Sequence, residues 1–122
     1  MDTQVVRIVD LTELAATAAS AHDAGAVWSL ASADLNLNLV RFAAGDGVAP
    51  HVNAEVDVVG VVIAGEGLLE LDGREERLLP GTLFFIPKGA RRGLRAVTDD
   101  FAYLSGHRRR AGLMPTRGHG IA

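Results

Sequence analysis

Between positions 51 and 57 the chain reads HVNAEVD. His51, Asn53, Glu55 and Asp57 stand at every second position, with Val52, Ala54 and Val56 between them. On an extended backbone alternate side chains share one face. A strand over 51–57 would therefore present an imidazole, an amide and two carboxylates in one row. Imidazole and carboxylate are ligands for a divalent transition metal. Pointed inward without a metal, the same row needs partners, because buried charge must be paired. Arg92, Arg91, Arg41 or His107 could pair with Asp57 or Glu55 in a self-satisfied polar network. Pointed outward, it is the solvated face of an ordinary strand.

The elements around this stretch are short and punctuated. The 122 residues suit one domain, residues 1–122, with one core. Hydrophobic residues make up 48% and charged residues 22%, enough for both a core and a polar surface. There is no cysteine, which excludes disulfides and zinc–thiolate sites. The start, MDTQVVRIVD, does not read as a secretory signal. No apolar run approaches the roughly 20 residues of a membrane span. A cytoplasmic protein without a membrane role is the expectation. Residues 1–80 hold 13 acids and 4 bases, whereas 81–122 hold 2 acids and 8 bases. The arginines lack interleaved aromatic residues, so no nucleic-acid partner is expected.

QVVRIVDL (4–11) predicts a strand, and 12–25 predicts one helix, capped by Thr12 and closed by Gly25. Leu35, Leu37 and Leu39 alternate with Asn36 and Asn38, which predicts a half-buried strand with its leucines inward and its asparagines solvated. Asp72-Gly73 predicts a type I′ hairpin turn. Phe84, Phe85 and Phe101 are expected to line the interior, and Trp28 to pack in the core or an interface. Many short strands and one helix predict an all-β sandwich or barrel. P-loop, catalytic-triad and nucleophile patterns are absent, and the catalytic residues are unknown.

Over residues 35–107 the sequence resembles the cupin family of small jelly-roll barrels. Gly45 precedes His51-Val52-Asn53 by the family's five residues, and Gly65 and Gly67 close that segment. Gly81, TLFFI, Pro87-Lys88-Gly89, Ala90-Arg91 and Arg92 follow the spacing of the second motif. This second frame is the specific part. The resemblance implies an all-β, double-stranded β-helix or jelly-roll barrel with one short N-terminal helix. Its core spans about 26–107, followed by a flexible basic tail over 108–122. It also implies a homodimer paired through an edge strand. In the family the metal is held inside the barrel by three histidines and a carboxylate. His51 matches the first ligand. Asn53 and Arg92 stand where two histidines belong, Ala96 replaces the final Asn, and the carboxylate position is ambiguous. An arginine repels a cation and offers a fork of donors to an anion. The expectation is therefore a small-molecule site for a polar or anionic metabolite, built from His51, Asn53 and Arg92 without a metal cofactor. The alternative is a metal-dependent oxygenase or isomerase with one divalent ion on His51, Asp57 and His107. A metal-free isomerase using His51 is a lesser variant.

Overall fold

The computed structural model describes residues 7–109. It contains one helix, α1 (Leu11–Ser20), and nine strands: β1 (Gly25–Ala31), β2 (Leu35–Phe42), β3 (Gly47–Val52), β4 (Val58–Ala64), β5 (Gly67–Leu71), β6 (Arg74–Leu78), β7 (Leu83–Ile86), β8 (Arg91–Ala96) and β9 (Phe101–Arg108). They form two antiparallel sheets, ordered β1-β2-β9-β4-β7 and β3-β8-β5-β6. The jelly-roll expectation holds.

No strand precedes the helix within the described residues, and 4–6 lie outside them. Asp10 rather than Thr12 caps α1, its carboxylate accepting the Glu13 N–H at 3.0 Å. The helix closes at His22, not Gly25. His22 takes φ 58°, the Asp23 N–H donates to Ala18 O and the His22 N–H to Ala19 O. This is the double closure in which glycine usually holds the left-handed position. Asp72 (φ 49°) and Gly73 (φ 84°) do form the two-residue turn between β5 and β6.

The core lies between the sheets. Val40, Phe42, Phe84, Phe101 and Tyr103 face Leu69, Leu78 and Leu94 across it. A smaller cluster lies outside the five-stranded sheet, where Leu11, Leu14 and Ala15 of α1 meet Leu39, Ala102, Val27 and Trp28. This second layer reverses the expectation for β2. Asn36 pairs with His107, Asn38 with Ser105 and Val40 with Tyr103. Directly paired residues share a face, so the asparagines point inward with the core. Leu39 turns outward beneath the helix, and Leu35 lies largely exposed. Phe85 also points out, at 56% exposure, unlike Phe84 and Phe101. The basic tail does not begin at 108. Arg108 closes β9, and the Arg109 backbone N–H donates to Asp34 O at 2.7 Å. Residues 110–122 lie outside the described residues.

Tyr103, the chain's one tyrosine, is fully buried against Phe84 and Phe101. Burial pushes its phenol far above the ordinary value. With the folded pKa raised, the neutral phenol contributes stability that is intact below the unfolded value of about 10 and is lost as pH rises past it. In an alkaline titration, phenolate absorbance is expected to appear only together with loss of strand circular dichroism. Tyr103→Phe should remove this contribution to alkaline unfolding. Phenolate forming while the strands persist would contradict the burial argument.

Candidate functional site

β3 reaches the site through a bulge. Val48 pairs with Leu94 and His51 with Arg92, so Ala49 and Pro50 together oppose Gly93 alone. Proline has no N–H to give the ladder, which suits it to such a break. A Cβ on Gly93 would lie 3.1 Å from the Pro50 ring, so glycine makes room for it. The bulge also re-aims the chain. Val48 and His51 are three apart and would face opposite sides of a regular strand. Here Val48 packs on the core, and His51 shares a face with Arg92, which is 0% exposed.

His51 Nδ1 lies 3.0 Å from Ala49 O. A carbonyl only accepts, so Nδ1 carries the proton, and in the neutral ring Nε2 keeps its lone pair. Nε2 is buried and has no hydrogen-bond partner among the described residues. The Arg92 Nη2–H donates to Pro87 O at 3.2 Å, and burial pushes the guanidinium below its ordinary value.

The predicted strand over 51–57 ends at Val52. Asn53 turns the chain, its Oδ1 accepting from the Glu55 N–H at 3.0 Å and the Val56 N–H at 3.4 Å. This is the local side-chain turn that asparagine favours. Asn53 and Val56 are buried while Glu55 and Asp57 are exposed, so the four polar residues do not share one face. The turn is stitched to the second motif. Gly89 N–H donates to Asn53 O at 2.7 Å, and Lys88 N–H to Asp57 Oδ1 at 2.9 Å. Gly81 and Gly89 both sit at positive φ (85° and 88°), where L side chains are strained.

The metal set His51, Asp57 and His107 is not brought together. Among the described residues, no three His, Asp or Glu side chains lie close enough to hold an ion. Asp57 is drawn to the outer rim by the Lys88 N–H. His107 Nδ1 lies 2.8 Å from Arg108 O, and its Nε2 faces Asn36 Nδ2 at 3.4 Å. The remaining family positions do not fit a metal either. Asn53 turns its amide oxygen to backbone N–H groups, and Arg92 carries positive charge. Arg41 is spent elsewhere, donating to Asp23 O at 2.7 Å and Asp99 O at 2.5 Å.

Asn36, Asn38 and Ser105 are inward-facing polar residues that the sequence reading did not expect there. Their face of β2 and β9 is the inner one, and His107 continues it toward the end where β4 starts and β7 stops. The Ser29 hydroxyl donates to Asn38 Oδ1 at 2.6 Å. A leucine-bearing strand beside a helix was the available signal, since the helix claims the leucines.

A family model described as a cupin domain matches residues 38–104. The chain belongs to the cupin family. Among solved structures, KdgF from Halomonas sp. is 29% identical, with a TM-score of 0.65 over 71% of this chain and 81% of that one. TT1209 from Thermus thermophilus is 26% identical, with a TM-score of 0.60 over 70% and 81%. BH2720 from Bacillus halodurans shares the fold over 93% of this cupin and 85% of its own length, with a TM-score of 0.69 at 18% identity. An uncharacterized protein of Aquifex aeolicus (strain VF5) is 46% identical over 41 residues, 34% of each chain. The match thus spans about a third of that relative. No helix among the described residues is long and apolar enough to cross a membrane.

Proposed function

We propose that this cupin binds a small polar or anionic metabolite at the mouth of its barrel, without a resident metal. One observation carries the reading. The buried, unpartnered Nε2 of His51 stands on the strand position opposite the buried guanidinium of Arg92. Arg92 supplies fixed positive charge and planar donors suited to carboxylate or phosphate. His51 supplies an acceptor. A ligand carrying a hydroxyl beside its anionic group satisfies both. Asn53 acts from behind, holding the turn that walls the mouth.

Calorimetry with a panel of hydroxycarboxylates and phosphate esters tests this. The comparison is wild type against His51→Ala and Arg92→Met, each checked for native circular dichroism. Hydrogen bonds to charged groups contribute about 1.5–3 kcal/mol, so affinity should fall at least about tenfold in Arg92→Met. A folded Arg92→Met that binds every such ligand as tightly as wild type would sink the proposal. Elemental analysis after incubation with iron, manganese, nickel and zinc supplies the second arm. One metal per chain, lost in His51→Ala, would replace the anion site with a metal centre.

A further inference from the structure

The inner face of the smaller sheet changes character along its strands. Val48, Leu94 and Leu69 form one row and pack in the core. One step toward the mouth, the strand registers align His51 of β3, Arg92 of β8, Leu71 of β5 and Arg74 of β6 in a single row. Directly paired residues share a face. Leu71, partly buried against the core, fixes that face as the inner one. The turn between β5 and β6 is tied to β8 beside Arg92. The Asp72 N–H donates to Arg91 O at 3.0 Å, and the Arg91 N–H donates to Asp72 Oδ1 at 3.2 Å. Arg74 is exposed and forms no ion pair among the described residues. Neighbouring strands lie about 4.8 Å apart, so the backbones of Arg74 and Arg92 stand roughly 10 Å apart with Leu71 between them.

From this row we infer that the ligand is a dianion, an α-hydroxydicarboxylate, and that Arg74 selects it. The first carboxylate takes Arg92, and the hydroxyl beside it takes His51. The methylenes lie on Leu71, and the distal carboxylate takes the guanidinium fork of Arg74. A chain of about five or six carbons suits two strand intervals shortened by the reach of the arginine side chains. The inference rests on the anion reading of the mouth and narrows it. Arg92 alone accepts any monocarboxylate, whereas Arg74 discriminates by the number of charges. Glu76, the next inward position of β6, is paired with Leu69 and is exposed. A distal carboxylate directed along β6 instead of at Arg74 would meet this like charge, so the strand favours one placement.

Calorimetry with matched probes tests it: α-hydroxyglutarate against α-hydroxyvalerate, and α-hydroxyadipate against α-hydroxycaproate. Within each pair the only difference is a distal carboxylate in place of a methyl group. The dicarboxylate of each pair is expected to bind about three- to tenfold more tightly, between the effect of an exposed ion pair and that of a charge-assisted hydrogen bond. Arg74→Gln alters an exposed side chain, so it should keep the native circular dichroism spectrum. It should erase the preference and leave affinity for the monocarboxylates unchanged. Arg92→Met should weaken both members of a pair together. Equal affinity for the two members in wild type overturns the inference and leaves the anion site standing. So does an Arg74→Gln protein that keeps the preference. If no hydroxy acid binds, or a folded Arg92→Met binds both members as wild type does, the anion reading fails and the inference with it.

Discussion

Phe101→Ala is expected to lower the unfolding free energy by about 3–5 kcal/mol, the range for removing a large buried ring. Phe101 is 0% exposed and lies between the sheets. Its ring centroid is 5.4 Å from that of Tyr103. On its other side it lies over Gly67 of the opposite sheet, where a Cβ would come within 2.5 Å of the ring. The ring thus fills space that two strands leave for it. Urea unfolding should show a lower midpoint with an unchanged slope. The same geometry predicts coupling. Gly67→Ala should cost stability in wild type but recover about 1 kcal/mol in the Phe101→Ala background, because the added methyl enters the vacated space. Strict additivity of the two substitutions would contradict the packing described.

Gly47→Ala should be comparably damaging for a different reason. A Cβ on Gly47 would lie 1.9 Å from Leu94 O and 2.8 Å from Arg95 Cα. These are backbone atoms, so no side chain can turn aside. Relief requires β3 to move away from β8, and that pairing sets His51 opposite Arg92. Overpacking of this kind costs about 3 kcal/mol. Unlike Phe101→Ala, the change should also abolish the anion binding proposed for this site, under conditions where the variant is still folded. Calorimetry and denaturant titration on the same sample separate the two losses. A Gly47→Ala protein of wild-type stability would mean that the β3–β8 spacing is looser than its register implies.

The fold was legible because its punctuation is chemical. Gly81, Pro87, Gly89 and Asp72-Gly73 each answer a backbone requirement that few other residues meet, and each lies where that requirement predicts. Patterns of alternation were less decisive. Asn36 and Asn38 alternate with leucines as any half-buried strand does. Period two separates the faces without saying which is inner, and the helix laid over Leu39 decided it. The stretch from His51 to Asp57 alternates as cleanly, yet Asn53 folds its side chain onto the following N–H groups and ends the strand. That local bond is short-range and readable in principle. The bulge at Pro50 is not, because it depends on how β3 meets β8. The positive charge of Arg92, at the position where the resemblance implies a histidine, was legible in the sequence, and its complete burial opposite His51 needed the tertiary structure.

The Pro50 bulge has a consequence for how copies of the chain can meet. β3 and β6 are the two edges of the smaller sheet. An open edge presents unpaired N–H and C=O groups to any passing strand and can propagate a fibre. On β3 the ladder is interrupted where Ala49 and Pro50 oppose one residue. On β6 the exposed run Arg74-Glu75-Glu76-Arg77 surrounds the backbone with charge. Neither border offers a template, so strand-by-strand growth is blocked at both ends of this sheet.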